Sequence, residues 1–372
     1  MTVVKHMAKP VDTSLSLCGI TLSNPLILAA GPYSRDTETL TRAVKAGFGA
    51  VTTKTIRLTA AKNPFPNMAQ IGRENLINAE KWSDLPLKTW LEHEIPEAKR
   101  LGVPVIASVG LTEKEVRKIA PLVEEAGADF VETVSYDASR VLPMLKAAKS
   151  TVRIPVIVKV SANWQSLPKI AAKAERSGAD AISALDSIGP VLAIDVESGK
   201  PYLGSVNGEG WLSGAAIHPI AVKNVADIAR TVKIPVIGIG GVTRGRDVVE
   251  MIMAGAHCVE LCTAPLVYGL KVVNRIKQEL AEFMQQKKYM SLQEFRGAAL
   301  KKIQSQTKES KEKLHPNVDT QECTHCGLCV KLCPYQALII EKDQVTLDKN
   351  KCLSCGLCHS VCPHHAITLR RC

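Results

Sequence analysis

The stretch "EAGADFVETVS" (residues 125–135) carries the pattern that decides the fold. A glycine stands where a helix would end, and an apolar, β-branched run follows it directly. Glycine is favoured just beyond the last helical residue because it accepts the left-handed backbone conformation found there. The stretch therefore predicts the junction between a helix and a buried strand. The same arrangement recurs in KAGFGAV (45–51), RSGADAI (176–182) and MAGAHCV (253–259).

Short β-branched runs alternate with amphipathic helical patterns over residues 25–264, which predicts repeated βα units and a parallel sheet. Eight such runs are present, the count of a closed (β/α)₈ TIM barrel. An open, doubly wound sheet is the alternative. The runs are PLILAAG (25–31), GAVTTKT (49–55), VPVIASVG (103–110), DFVETVS (129–135), IPVIVKVS (154–161), AISALD (181–186), IPVIGIGG (234–241) and HCVELCTA (257–264).

Other segments set the expected domain limits. The alternating stretch LSLCGITLSN (15–24) predicts a short hairpin that plugs the barrel floor. We assign residues 1–284 to the barrel, 285–315 to a helical extension and linker, and 316–372 to a cysteine-rich domain.

Composition restricts the class of protein. The chain has 372 residues, of which 46% are apolar and 22% charged, as in a globular protein with an ample core. No apolar run reaches the roughly 18 residues of a membrane span, and the N-terminus lacks the apolar segment of a signal peptide. Cysteines at metal-binding spacing in such a chain indicate a reducing compartment, so we expect a cytoplasmic protein.

The net charge of +11 raises the question of nucleic-acid binding. Much of the excess lies in three late segments, QQKKY (285–289), LKKIQSQTKESKEKL (300–314) and LRRC (369–372). Bound anionic cofactors would offset part of it, because their charges belong to the local field. We therefore do not expect a nucleic-acid partner.

Two cysteine stretches close the chain, CTHCGLCVKLCP (323–334) and CLSCGLCHSVCP (352–363). Both read C-x₂-C-x₂-C-x₃-C-P, the spacing of bacterial ferredoxins, in which the fourth cysteine ligates the other [4Fe–4S] cluster. A zinc ribbon or a disulfide knot is the alternative. The clusters pass single electrons, so the barrel should hold a group that exchanges electrons. The rule gives one set of Cys323, Cys326, Cys329 and Cys362, and a second of Cys352, Cys355, Cys358 and Cys333.

Active groups of a barrel lie at the C-terminal ends of its strands. Lys159 is notable there, because a lysine ending the apolar run IPVIVKVS would be costly to bury without an anionic partner. A solvated lysine is the alternative. Glycines after strand 7 and small polar residues after strand 8 predict a phosphate cradle. The strand-end residues are Gly31, Lys54, Thr55, Ser135, Lys159, Asp186, Ser187, Gly240, Gly241 and Thr263.

Longer motifs resemble the dihydroorotate dehydrogenase family: NPLILAAGP (24–32), AVTTKTIRLTAAKNPFPN (50–67), IPVIVKVSANW (154–164), GWLSGAAIHPIAV (210–222) and IPVIGIGGVTRGRDVVEMIMAGAHCVELCTA (234–264). The likeness is closest to the family's branch in dihydropyrimidine dehydrogenase, including the bacterial NAD-dependent enzyme's subunit with a terminal ferredoxin module. It covers nearly the whole chain in order.

The resemblance implies FMN at the barrel mouth. Lys159 would serve the N1/C2 edge of the flavin and stabilise its reduced, anionic form. Position 262, usually a glycine in the family, is a cysteine here. The implied cofactor-binding residues are Ala30, Gly31, Lys54, Thr55, Lys159, Ser213, Gly214, Gly240, Gly241, Cys262 and Thr263.

The substrate side departs from the family pattern. Tyr136 replaces the family's acid/base cysteine, and Asp186 replaces an asparagine that holds the substrate. We expect Tyr136 to be the proton donor, with Ser135 as the alternative. Asn78, Asn163, Asp186 and Ser187 are the expected substrate-binding residues. An amide both donates and accepts hydrogen bonds, whereas a carboxylate only accepts them. The replacement of asparagine by Asp186 therefore allows a substrate other than uracil or dihydroorotate.

These features predict an FMN- and [4Fe–4S]-dependent oxidoreductase acting on an activated C=C bond of a small pyrimidine-like or other unsaturated molecule. No G-x-G-x-x-G opens a βαβ unit, so we expect the chain to lack a dinucleotide domain of its own. The resemblance implies a partner subunit with FAD and a nicotinamide site that exchanges electrons through the clusters, and we expect a homo- or hetero-oligomer. A non-catalytic electron-transfer subunit is the alternative. A third hypothesis is a flavin enzyme that acts on uridines in RNA, similar to the tRNA-dihydrouridine synthases. The cluster tail and the missing cysteine count against it.

Overall fold

The computed structural model describes residues 11–342 and 344–371. The chain divides into two compact units, the first ending at Gln304 and the second beginning at Ser305. The finer boundaries expected from the sequence, at 284/285 and 315/316, remain a proposal. Within the described residues, no helix is both long and apolar enough to cross a membrane.

Eight parallel strands close into a barrel in the first unit. The last strand pairs with the first, with Val259 opposite Leu26, so the sheet has no open edge. The predicted barrel is confirmed, and the open doubly wound sheet is excluded. The strands are β1 (Leu26–Leu28), β2 (Ala50–Thr52), β3 (Val105–Gly110), β4 (Phe130–Val134), β5 (Val156–Val160), β6 (Ala181–Ala184), β7 (Val236–Ile239) and β8 (Cys258–Leu261).

A helix follows each strand and packs on the outside of the barrel. The glycines of the four repeated junctions, at positions 47, 127, 178 and 255, all have positive φ and lead into β2, β4, β6 and β8. This is the C-cap conformation that the sequence predicted. The helices are α1 (Thr37–Lys45), α2 (87–99, with a π turn at Trp90–Glu94), α3 (Glu113–Glu125), α4 (Val141–Lys149), α5 (Leu167–Arg176), α6 (His218–Ala229), α7 (Gly245–Met253) and α8 (Val272–Lys287); two further helices are Thr263–Tyr268 and Ala298–Ser305.

An antiparallel hairpin closes the floor of the barrel, as the sequence predicted. Its strands, Leu15–Leu17 and Ile20–Leu22, pair with each other. Leu17 and Leu22 are fully buried against the first residues of the barrel strands, among them Phe130 of β4 and Ile157 of β5. The apolar plug leaves only the opposite end of the barrel open for chemistry.

A four-stranded antiparallel sheet stands at that opposite end. Its strands come from two long connections, one between β2 and α2 and one between β6 and α6. Trp211 pairs with Asn78, so the two connections together form one wall of the mouth. In spatial order the strands are Ile188–Val191, Gly210–Gly214, Asn75–Asn78 and Met68–Ile71; a separate pair, Ile194–Asp195 and Lys200–Pro201, extends from the second connection.

The second unit is a small fold built on a repeat. Strand His315–Val318 pairs with Ile367–Arg370, and Leu338–Glu341 pairs with Gln344–Leu347. The helical turns Leu328–Lys331 and Leu357–Ser360 occupy equivalent places in the two cysteine stretches.

Candidate active site

A cavity opens at the C-terminal ends of the barrel strands. Its empty volume is about 1060 Å³ and includes space open to solvent. Most of the site residues expected from the sequence line it. They are Tyr136; Asn78, Asp186 and Ser187; and Ala30, Gly31, Lys54, Thr55, Lys159, Ser213, Gly240, Gly241, Cys262 and Thr263.

Three expected residues do not line this cavity: Ser135, Asn163 and Gly214. Ser135 is buried, and its Oγ accepts the backbone N–H of Asp137 at 3.1 Å. Asn163 donates to the carbonyl of Ser187 at 3.3 Å, so its amide supports the loop that presents Ser187 to the cavity.

Lys159 lies in the barrel interior between two carboxylates. Its Nζ is 3.4 Å from Glu260 Oε2 and 3.8 Å from Glu132 Oε2. Lys159 is only 5% exposed, so the solvated alternative is wrong. Ser183 Oγ donates to the other oxygen of Glu260 at 3.3 Å, whereas neither oxygen of Glu132 has a hydrogen-bond partner.

The titration of this cluster follows from its burial and its charges. Burial alone would lower the pKa of Lys159, but Glu132, Glu260 and Asp186 outweigh it and raise that pKa above its ordinary value. Lys159 therefore stays charged. Burial raises the pKa of Glu132 to about 7, although Lys159 partly opposes the shift. Glu132 is thus poised to gain or lose a proton near neutral pH.

The glycine-rich end of the cavity forms a close-fitting backbone cradle. Gly241 has φ of +69°, and a Cβ added there would lie 2.7 Å from both the carbonyl oxygen of Gly214 and the backbone nitrogen of His218. Thr263 Oγ1 donates to Ser213 Oγ at 2.8 Å beside it. Small residues and hydroxyl groups at the ends of β7 and β8 suit a phosphate group, so this part of the site fits FMN.

Cys262 packs toward β1. Its Sγ lies 2.5 Å from where a Cβ on Gly31 would be, so Gly31 leaves the room that the thiol fills. Burial raises the pKa of Cys262 to about 11, and the group is a neutral thiol at physiological pH.

Three aromatic rings wall the mouth of the cavity. The Tyr136 ring stacks on Trp211 with centroids 4.4 Å apart, and Trp82 lies 5.4 Å away at a tilt of 40°. Trp164 Nε1 donates to the carbonyl of Tyr136 at 2.8 Å, which fixes the backbone. Tyr136 is 39% exposed as a whole, but desolvation of its hydroxyl and the nearby Asp186 carboxylate raise the pKa of that hydroxyl, so it stays protonated.

Sequence reasoning missed several lining residues. Lys54 forms an ion pair with Glu80, whose backbone N–H donates to Asn78 Oδ1. Glu80, Trp82 and Trp211 lie in connections between barrel elements, where no local sequence pattern marks them as site residues. Glu132 and Glu260 sit inside apolar strands in the runs "VETVS" and "VELC", a signal like that of Lys159. The missed lining residues are Glu80, Lys81, Trp82, Glu132, Val134, Trp211, Ile217, Ile239, Val242, Glu260 and Leu261.

The cysteines of the second unit gather around two separate cavities with empty volumes of about 350 and 370 Å³. The first three cysteines of each stretch join the fourth cysteine of the other stretch. One cavity is lined by Cys323, Cys326, Cys329 and Cys362, and the other by Cys352, Cys355, Cys358 and Cys333. None of the eight forms a disulfide, and among described residues no three His, Cys, Asp or Glu side chains are arranged for a single metal ion.

The local backbone explains how each short loop surrounds a cavity. Gly327 and Gly356 follow the second cysteine of their stretches with φ of +71° and +79°, and so turn the chain sharply there. The backbone N–H of Ala337 donates to Cys333 Sγ at 3.4 Å. Burial opposes ionisation, but the surrounding backbone N–H groups lower the pKa of Cys333 overall, which favours a thiolate ligand.

Two known families match separate parts of the chain. Residues 13–284 match the dihydroorotate dehydrogenase family, and residues 316–369 match the 4Fe–4S dicluster domain. Both parts of the predicted resemblance to this family and to a ferredoxin-like module are confirmed.

Several known proteins named "dihydroorotate dehydrogenase B (NAD(+)), catalytic subunit" are similar to this chain. The protein from Pyrococcus horikoshii is 35% identical over 301 residues, covering 77% of this chain and 97% of that protein. The one from Methanothermobacter thermautotrophicus is 34% identical over 304 residues, covering 76% and 97%. The one from Thermoplasma volcanium is 31% identical over 306 residues, covering 78% and 99%.

The barrel with its open C-terminal cavity, the glycine-rich cradle and the family match over 272 residues (13–284) lead to one assignment. The chain belongs to the dihydroorotate dehydrogenase family of flavin-dependent oxidoreductases and carries a 4Fe–4S dicluster domain at its C-terminal end.

Proposed function

We propose that this chain adds or removes two electrons and two protons at an activated C=C bond of a small pyrimidine-like or other unsaturated molecule. The electrons would travel between FMN and a partner through two [4Fe–4S] clusters. The observation that carries the proposal is the pairing, in one chain, of a family-matched barrel cavity with two four-cysteine cavities.

The residues fit FMN at one end of the cavity. Ser213, Gly240, Gly241 and Thr263 would hold its phosphate, and Lys159 would lie toward the polar edge of its ring. When bound, FMN supplies the hydride and electron chemistry that no side chain can provide. Gly214 lies behind Gly241 and would support the cradle through its backbone.

The substrate side is formed by Asn78, Asp186, Ser187 and Tyr136. The Tyr136 hydroxyl would donate the proton to the carbon next to the one that receives hydride. The carboxylate of Asp186 accepts from Ser187 N–H at 2.8 Å, and would orient N–H groups of the substrate. Asn163 would act indirectly, by holding the Ser187 loop.

The charges of the cavity bear on the substrate. Lys54 and Lys159 already face carboxylates, which leaves Lys81 as the third lysine of the lining. Four carboxylates, those of Glu80, Glu132, Asp186 and Glu260, line the same space. This balance favours an uncharged, N–H-bearing ring over an anionic acid. We therefore expect neutral pyrimidine-like molecules to be better substrates than dihydroorotate.

The two cysteine quartets would each hold one cluster, which passes single electrons. The relatives are named catalytic subunits of an NAD(+) enzyme. By analogy, this chain would exchange electrons with a separate subunit that carries FAD and a nicotinamide site.

The test is anaerobic purification of the full chain, reduction of its flavin and clusters, and reoxidation by a panel of unsaturated pyrimidines, amides and acids that includes orotate. Rapid reoxidation by uncharged pyrimidines or amides, and slow reoxidation by orotate, is expected. Reoxidation by none of the panel but by an electron-accepting partner would instead identify an electron-transfer subunit.

That second candidate has its own support. Both neighbours of Tyr136 in the aromatic wall, Trp82 and Trp211, confine its ring, and the raised pKa makes its hydroxyl a weaker acid. A barrel that only relays electrons needs no proton donor. Activity with any unsaturated molecule decides between the two.

A further inference from the structure

The interior of the cavity holds a carboxylate that the proposed function leaves without a role. Glu132, on β4, has no solvent exposure, and neither of its carboxylate oxygens has a hydrogen-bond partner. It nevertheless lines the cavity beside Lys159. A buried polar group without a partner is costly, so its presence needs an explanation.

The charges around it are unbalanced. Lys159 on β5 faces Glu132 at 3.8 Å and Glu260 on β8 at 3.4 Å, and Asp186, after β6, adds a third negative charge. Glu260 has both the closer contact with Lys159 and a hydrogen bond from the hydroxyl of Ser183. Glu132 lies farther from Lys159, at 3.8 Å, and Lys159 and the Ser108 hydroxyl together offset only part of the effect of burial on its pKa. Glu132 is therefore a carboxylate that readily accepts a proton.

We propose that Glu132 is the proton-holding residue of this cavity, taking up one proton from solvent when the bound flavin gains two electrons and releasing it when they leave. The inference rests on the proposed binding of FMN. The substrate or the partner supplies the two electrons, and none of them goes to Glu132. The proton from solvent converts the Glu132 carboxylate to a carboxylic acid. Glu132 does not touch the reacting atoms of the substrate; it offsets the charge of the reduced flavin by taking up a proton.

The direction of the pH dependence follows from the same surroundings. Burial raises the pKa of Glu132 to about 7, with Lys159 opposing and Glu260 and Asp186 adding to the shift. Further negative charge in the cavity raises the pKa again. Proton uptake should therefore be largest just above pH 7, where Glu132 is mostly ionised before reduction and protonated after it.

The experiment measures the flavin midpoint potential of the full chain, with FMN and clusters in place, against pH from about 6 to 9. The slope reports the protons taken up per two electrons. The wild type should take up one more proton than Glu132→Gln over the upper part of this range. Glu94→Gln is the matched control, since Glu94 is a buried glutamate that contacts Thr37 outside the cavity, and it should keep the wild-type slope.

A second measurement needs no variant. The reduced-minus-oxidised infrared spectrum of the wild type should gain a protonated carboxyl band at pH 8. Equal slopes in wild type and Glu132→Gln, or no carboxyl band, would overturn the inference while FMN is still bound. A chain that binds no FMN at all would instead refute the proposed function, so the two failures are distinguishable.

Discussion

Tyr136 is the side chain on which the proposed chemistry depends most. Replacing it by phenylalanine keeps the ring against Trp211 and Trp82 and removes only the hydroxyl. We expect flavin content to be unchanged and substrate turnover to fall by about 10²–10⁴, the usual contribution of a proton donor. Because burial and Asp186 raise the pKa of Tyr136, its loss of a proton should cause no decline in rate up to pH 9.

Ser135→Ala provides the comparison for that prediction. Ser135 is buried and contacts Asp137 outside the cavity lining, so this variant should turn over at nearly the wild-type rate. Normal turnover by Tyr136→Phe with loss in Ser135→Ala would move the role of proton donor to Ser135.

A second prediction concerns Lys159 and its effect on FMN binding and on the flavin potential. Lys159→Met leaves Glu132 and Glu260 buried without their cation, and breaking a buried pair in this way costs about 3–5 kcal/mol. We expect weaker FMN binding and a lower flavin potential, since the positive charge that favours the reduced flavin is gone. Titration of the apoprotein with FMN and a redox titration measure the two effects.

The matched variant is Lys149→Met. Lys149 pairs with Asp180 at 2.8 Å and does not line the cavity, so its loss should leave flavin binding intact. A Lys159→Met protein with wild-type flavin content and potential would show that the lysine does not serve the cofactor.

The same cluster shows how far sequence alone reaches at this scale. Lys159 was identifiable because a single cation interrupts an apolar strand. Glu132 and Glu260 interrupt their strands in the same way, but they lie 128 positions apart along the chain, counting from 132 to 260. Only closure of the barrel brings β4, β5 and β8 to one point, so the three charges could not be assigned to one cluster.

At the scale of elements, the βα junctions decide where the phosphate cradle lies. Gly241→Ala would place a methyl group 2.7 Å from the Gly214 carbonyl oxygen and the His218 nitrogen. We expect the cradle to shift and FMN affinity to fall at least tenfold, measured by fluorescence titration. Gly102→Ala is the control, because Gly102 has φ of +76° but nothing within 4 Å of its added Cβ. Similar losses in both variants would mean that backbone strain alone is responsible.

Local patterns predicted the barrel strands well and the mouth poorly. Each β run begins at a glycine or a proline junction that the sequence marks, and all eight runs became strands. The strands Asn75–Asn78 and Gly210–Gly214 are different. Each pairs with a strand of its own connection, but the two also pair with each other across 133 positions, with Asn78 opposite Trp211. Their register, and with it the position of Trp211 opposite Asn78, depends on tertiary contacts alone.

At the scale of the whole molecule, the proposed chemistry needs an external electron donor or acceptor. The full chain should be reduced slowly by NADH or NADPH alone, because no dinucleotide-binding motif opens a βαβ unit. Addition of a subunit that carries FAD should make the reduction of the clusters fast. Stopped-flow spectroscopy follows both reactions. Rapid reduction of the isolated chain by NADH or NADPH would contradict the proposal that a separate subunit oxidises the nicotinamide.

The cofactor content of the full chain, after anaerobic preparation and reconstitution, shows whether one chain holds both a flavin and two clusters. The account predicts one FMN and about eight irons per chain, as two cubane clusters require. Cys326→Ser should lose one cluster and keep its FMN, whereas Cys18→Ser, a change at the barrel floor, should keep all three cofactors. Zinc in place of iron, or iron without any bound flavin, would contradict the account.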